Sequence, residues 1–379
     1  MSDEDFYDAQ SEASQIKTRI VTKYFMFWAK VMVPQARSWA RALAYIDLYA
    51  GPGRYDDGTK STPILVLEAA VQNPDLRKFL VTTFNDRNPE FATRLRSNIQ
   101  KITGIESLVH QPQVHSVEVD EEVADVFGRA ALIPSFSFVD PFGYKGITQS
   151  LLKGMLKDWG CDLILFFSYA RINAAIDNEI FEEHISALFG EDRLRDLRAR
   201  LQGKRPWERE ALILETFSQV LRDLGFKYVL PFTFQRKGQD RTSHHLILVT
   251  KHPLGYTVMK KIMAGESSEY DQGVPSFTYS RSLGEAETPL LFSLDRPLEL
   301  LADDLLEKFE GQSLTMKEVF ERHHLGTRYV ERNYKTALGR LEVEGKIIAN
   351  PPAIKRPKRS GERTFGPNVR VVFPQRKKS

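Results

Sequence analysis

Three short segments combine acids, glycines and an aromatic at spacings that suit binding of a nucleotide-like ligand. In the first, the run Tyr45-Ile46-Asp47-Leu48-Tyr49-Ala50 contains a carboxylate and breaks into Gly51-Pro52-Gly53. Glycines one residue apart after a strand let the backbone turn sharply and approach a ligand, because no Cβ intervenes. The third glycine of a dinucleotide fingerprint is absent, so an ordinary tight turn explains the pair as well. In the second segment, Asp86 offers two acceptor oxygens to the two hydroxyls of a ribose. A helix cap ahead of Pro89 is the competing reading. Glu118 adds a third acid, either facing a ligand or standing as an exposed strand-end charge. The third segment is Asp140-Pro141-Phe142-Gly143. Pro141 fixes the acid beside it, and Phe142 can stack on a planar base; a plain turn is the alternative.

These residues need strands to hold them. Apolar runs at 44–50, 79–84, 114–119, 136–139 and 162–167 alternate with helical stretches at 63–71, 89–101, 121–130 and 151–157, the signature of a parallel α/β sheet. Helices at 176–200 and 208–224 follow, then strands at 227–234 and 245–250, close in sequence and so antiparallel neighbours. Upstream, Ile16, Ile20, Tyr24, Phe27, Trp28 and Val31 fall at helical spacing, predicting an amphipathic helix packed on the sheet edge. Residues 1–15 are acidic and aperiodic and read as disordered. The expected division is a Rossmann-like domain over 16–264, a linker over 265–296 and a second domain over 297–379.

That second domain reads as three helices, 297–309, 315–323 and 327–344, followed by a two-stranded hairpin, which is a winged helix. On its third helix Val330, Tyr334, Ala337, Leu338 and Leu341 make one apolar stripe. Arg328, Arg332, Asn333 and Lys335 lie opposite, a composition suited to entering a major groove. The wing, 350–366, holds Lys355, Arg356, Lys358 and Arg359. From residue 351 onward there are nine Lys/Arg against one acid, although the whole chain carries only +3. A basic end on a mildly acidic body suggests a polyanionic partner, DNA or RNA. A protein-docking role for the winged helix and a solvated tail are the competing readings.

The remaining bounds exclude more than they select. No apolar run approaches the ~20 residues that span a bilayer, and the acidic start lacks the regions of a signal peptide, so cytoplasmic residence is expected. The single cysteine, Cys161, excludes an internal disulfide and a cysteine-built metal site, and no metal is expected. Cytosine C5 methylation needs a thiolate near the fourth strand end, which Cys161 does not supply. His244-His245 reads as structural. An NAD-dependent oxidoreductase is disfavoured by the glycine spacing.

Seven strands with this pattern suit the sheet of Rossmann-like methyltransferases, in which ligands bind beyond the strands' carboxyl ends. Amino-methyltransferases of nucleic acids use an Asp/Asn/Ser-Pro-Pro-aromatic turn, of which 140–143 lacks one proline. Taken together, Tyr45 to Tyr55, Phe84-Asn85-Asp86-Arg87-Asn88-Pro89-Glu90 and Phe138 to Gly143 resemble the three-Cys-motif partner proteins of bacteria. The likeness runs from about residue 16 to 263. It implies a methyltransferase-type fold with Asp47, Ala50, Gly51 and Gly53 lining an S-adenosylmethionine site. Asp86 would hold the ribose, Glu118 would face the adenine, and Asp140, Pro141 and Phe142 would face the substrate. The family commonly has Glu at the ribose position and Asp where Glu118 stands; both exchanges keep charge and change reach. It also implies a partner carrying an iron–sulfur centre. Two functions are therefore expected in competition: a methyltransferase acting on nucleic acid, or a non-catalytic nucleic-acid-binding adaptor.

Overall fold

The computed structural model describes residues 11–235, 242–268, 270–272, 274–279, 297–359 and 362–375. The chain divides into two compact units, one built on the described residues up to Glu266 with Tyr279, the other on 267–278 and the described residues from Pro297.

In the first unit, helix α1 (Glu12–Gln35) is followed by a π-helical turn, Ala36–Ala40. Then come β1 (Leu43–Asp47), α2 (Thr62–Gln72), α3 (Pro74–Phe79), β2 (Leu80–Asn85), α4 (Pro89–Gln100), β3 (Gln113–His115), α5 (Glu121–Arg129) and β4 (Ser135–Val139). After these follow α6 (Gln149–Leu156), β5 (Asp162–Phe167), α7 (Tyr169–Ala175), α8 (Glu182–Phe189), α9 (Glu191–Leu201), α10 (Pro206–Asp223), β6 (Tyr228–Gln235), β7 (Thr242–Thr250) and α11 (Pro253–Glu266). Seven of the eight strands of the sheet lie in the order β3-β2-β1-β4-β5-β7-β6, and the eighth, a two-residue strand ending at Tyr279, lies beside β6. β1 to β5 are parallel, and β7 runs against both of its neighbours. This is the Rossmann-like, methyltransferase-type sheet, and its order reverses between β1 and β4.

The sheet differs from expectation in ways that have physical causes. β1 stops at Asp47 because the Asp47 carboxylate accepts the Tyr49 N–H at 3.2 Å and turns the chain. The stretch expected as one helix over 176–200 is broken at Gly190, whose φ of +85° no helix accepts. Helix α1 begins at Glu12, capped by the Ser11 hydroxyl, so residues 12–15 are helical rather than disordered. Nor does α1 sit on the sheet edge. Phe25 packs edge-on against Tyr45 at 5.2 Å, and Tyr24 and Trp28 lie against Phe136, so α1 crosses the face over β1 and β4. Burying aromatics of this size contributes roughly 1.5–3 kcal/mol each. The Tyr24 hydroxyl donates to Asp162 at 2.6 Å and the Trp28 indole to the Gly160 carbonyl at 3.1 Å, which satisfies their polar atoms in the core.

The expected linker begins with regular structure. α11 reaches Glu266, and three two-residue strands follow, β8 (Tyr270–Asp271), β9 (Val274–Pro275) and β10 (Thr278–Tyr279). The rest of that stretch, and the acidic start over 1–10, lie outside the described residues.

The second unit comprises α12 (Pro297–Lys308), β11 (Ser313–Thr315), α13 (Met316–His323), α14 (Glu331–Val343), β12 (Ile348–Asn350), a short hairpin of β13 (Lys358–Arg359) and β14 (Glu362–Arg363), and β15 (Arg370–Val372). It is a winged helix with three strands, β11-β15-β12, where a two-stranded hairpin was expected. Its core joins Leu301, Leu305, Val319, Tyr334, Leu338 and Val371.

Candidate functional site

Two polar residues at the carboxyl end of β2 tie the backbone that follows β1 and β3 together. Asn85, buried at the end of β2, donates to the Leu48 and Val117 carbonyls at 3.1 and 3.0 Å and accepts from the Val117 N–H at 3.0 Å. Asp86 next to it accepts from the Gly51 N–H at 3.0 Å and from the Asn88 N–H at 2.9 Å. Each carboxylate oxygen therefore accepts from a backbone N–H, which fixes the group at the end of β2. Gly51 adopts φ +63°, a left-handed conformation that suits glycine and aims its N–H at Asp86.

A cavity of about 570 Å³ opens at these tips, beyond the β1/β4 reversal. Asp86, Glu118, Asp140, Pro141 and Phe142 line it together. Asp47, Ala50, Gly51 and Gly53 are not among its lining residues. Asp47 is fully buried at the end of β1; burial pushes its carboxyl up to about 8, against the pull of the Tyr49 N–H. At Gly53 a Cβ would come within 2.7 Å of Leu95, so this glycine serves close packing of α4.

Side chains that the sequence reading did not place at the site complete the wall, among them His244, which it read as structural. Lys17 reaches in from α1 and pairs with Asp140, Nζ to Oδ2, at 2.5 Å, with its ammonium 5.1 Å from the centre of the Phe166 ring. Burial opposes the charge on Lys17, but Asp140 holds its pKa above the ordinary lysine range. Arg171 on α7 lays its guanidinium 4.0 Å from the Phe142 ring centre and donates to the Phe142 carbonyl at 3.1 Å. Phe142 stays 44% exposed, leaving area for a planar group. Gly146, also on the wall, has φ +80°, and a Cβ there would meet the Val119 carbonyl oxygen at 2.5 Å. His244 on β7 completes this side. Lys17 had a signal in the sequence: with Ile20, Val21 and Tyr24 it falls on the buried stripe of α1, where a cation needs a partner.

In the second unit the expected polyanion-facing residues separate. Arg332 is exposed and stacks on Tyr270 at 5.0 Å, while Lys355, Lys358 and Arg359 project from the wing. Arg328 lies in the turn before α14, and Lys335 is paired with Glu331 at 2.8 Å. Two expectations are corrected. Asn333 is buried and its side chain accepts the Val330 N–H at 2.9 Å, so it caps α14 rather than facing a groove. Arg356 is buried, ion-paired with Glu342 and stacked on Phe365 at 4.4 Å, so it anchors the wing from beneath.

With this geometry in hand, comparisons with known proteins locate one segment. Residues 280–354 match the model of the GMT-like wHTH domain. A search of curated proteins finds no match. Among solved structures, the chain is similar to the DszA carbon methyltransferase at 15% identity and a TM-score of 0.40, covering 65% of this chain and 57% of that one. It is similar to the O-methyltransferase TomG from Streptomyces achromogenes, in complex with SAM, at 15% identity and a TM-score of 0.31, covering 66% and 100%. It is also similar to magnesium protoporphyrin IX methyltransferase from Synechocystis PCC 6803 with bound SAH, at 14% identity and a TM-score of 0.30, covering 65% and 90%.

Proposed function

We propose that the protein is an S-adenosylmethionine-dependent methyltransferase acting on nucleic acid, with the winged helix gripping the polymer. The observation that carries this reading is the convergence of Asp86, Glu118 and Asp140, from three different strand tips, on one cavity at the point where the sheet order reverses. Its volume of about 570 Å³ suits a nucleoside-sized ligand. Asp86, fixed by the Gly51 and Asn88 N–H groups, would hold the ribose hydroxyls, and Glu118 the adenine amine. The cofactor supplies a methyl group on a sulfonium. The chain's own task is to align the acceptor: Asp140, held in place by Lys17, takes a hydrogen bond from it, and Phe142 stacks beside it. Arg332, Lys355, Lys358 and Arg359 would meet phosphates.

The test is transfer of a labelled methyl group from S-adenosylmethionine to duplex DNA or total RNA. Label appearing in one polymer, and lost on Asp140→Ala, is the expected result; no label in either contradicts it. A second reading, a nucleic-acid-binding adaptor without turnover, draws on the Lys17–Asp140 pair, which already engages the acid nearest the proposed chemistry. Salt-dependent polymer binding without cofactor binding would favour it.

A further inference from the structure

His244 lies on the cavity wall as the middle ring of a three-ring stack. Phe166 covers one face at 4.3 Å between centroids and 29°, and Phe234, its direct cross-strand partner, stacks at 4.5 Å and 18°. Nδ1 is 2.8 Å from the Ser243 hydroxyl, and that hydroxyl donates its only proton to the Phe234 carbonyl at 3.0 Å. The oxygen can then only accept from the ring, which places the imidazole proton on Nδ1. Nε2 is left with a bare lone pair. It makes no hydrogen bond among the described residues, and with both faces stacked and Nδ1 tied to Ser243, the edge bearing Nε2 is what remains for the cavity.

A purely structural histidine does not need this arrangement. Its neighbour on the next residue, His245, is fully buried, with Thr233 on Nδ1; its Nε2 lies 3.3 Å from Glu210 and makes no hydrogen bond among the described residues, but it is enclosed by packing. The two histidines of one dipeptide thus point to opposite faces of β7, one into packing and one to the cavity.

We propose that His244, through Nε2, is the proton acceptor for the group that becomes methylated in this cavity. The inference rests on the methyltransferase reading above. The acceptor's lone pair forms the bond to the methyl carbon as the carbon–sulfur bond gives its electrons to sulfur. The N–H or O–H proton that the acceptor no longer holds passes to Nε2 and then to water. Burial, with Lys17 and His245 nearby, keeps the imidazole's pKa well below its usual value, so the ring is unprotonated and ready at neutral pH. A newly methylated hydroxyl, or the exocyclic amine of a nucleobase, that still carries its extra proton is a strong acid, and a weakly basic imidazole suffices to take it.

Two measurements on the full chain test this. In long-range proton–nitrogen spectra of protein labelled with 15N-histidine, Nε2 of His244 should appear unprotonated and Nδ1 protonated at neutral pH; a protonated Nε2 overturns the proposal. In methyl transfer to duplex DNA and total RNA, His244→Phe keeps the ring stack but removes both nitrogens. It should lower turnover by roughly 100-fold or more, the usual worth of a positioned base, with cofactor affinity unchanged. Wild-type turnover in His244→Phe overturns the proposal while leaving the methyltransferase reading intact. No cofactor binding by the wild-type chain sinks that reading instead. If the cofactor binds but neither polymer is methylated, the tautomer measurement decides alone.

Discussion

Each unit buries a cation against a carboxylate, and the two pairs serve different ends. Arg356 and Glu342 are closed in beneath the wing: the guanidinium stacks on Phe365, and the Glu342 carboxylate also accepts the Ala353 N–H at 3.0 Å. The bonds of that pair run to each other and to Ala353, so it ties a loop to a helix, while Nε and Nη1 of Arg356 make no hydrogen bond among the described residues. Lys17 and Asp140 are also matched, but both border the cavity, and Asp140 keeps 18% of its side chain exposed. The lesson is that a buried ion pair by itself says nothing about function; what lies on its open side decides.

A buried carboxyl with no cation bonded to it marks the extreme of this comparison. Asp47 keeps its proton up to about pH 8 in the folded chain, whereas an unfolded aspartate loses it near 3.8. Between those values folding takes up a proton, so stability falls as pH rises from about 4 to about 8, by as much as ~1.4 kcal/mol per pH unit, and is flat beyond. Asp47→Asn has no proton to lose and retains an acceptor for Tyr49. Thermal melts should find it level with the wild type at pH 4 and more stable at pH 8 and above. A gap independent of pH would show that Asp47 is ionised in the fold.

The two ion pairs can be separated by breaking each. Arg356→Met strands Glu342 in a closed site and should cost about 3–5 kcal/mol in chemical denaturation. Lys17→Met leaves Asp140 beside a cavity that water can enter, and should cost less, about 1–3 kcal/mol. Equal losses would remove the distinction. A smaller effect separates the faces of α14. Asn333→Ala should lose about 1 kcal/mol of stability, the worth of a cap, with polymer affinity of the folded protein unchanged. Altered sequence preference instead would return Asn333 to the groove-facing side.

Much of the fold was legible because it rests on local periodicity. Strand–helix alternation predicted the sheet, and the acids after successive strands pointed to the ends at which the cavity opens. What escaped was set by tertiary contact. The three-residue strand Ser313–Thr315 is too short to show alternation and is a strand only because β15 pairs with it. The route of α1 across the sheet depends on where Phe25 and Trp28 find Tyr45 and Phe136. In the candidate site, Asp86, Glu118 and Asp140 were readable from strand ends. Arg171 and His244 were not, since nothing local says that α7 and β7 converge on Asp140. Asn333 and Arg356 misled because a polar residue on a helix or in a basic loop reads as solvent-facing until its cap or partner is seen.

The account stands on Asp86 and its neighbours forming a seat for an adenosyl group. Calorimetric titration of S-adenosylmethionine into the wild type and Asp86→Asn tests this most directly. A saturable heat in the wild type, weakened about 10- to 100-fold in the variant, is the expectation for losing charge-assisted bonds to a ribose. No binding by folded wild-type protein at millimolar cofactor, or equal affinity in the two proteins, would contradict it.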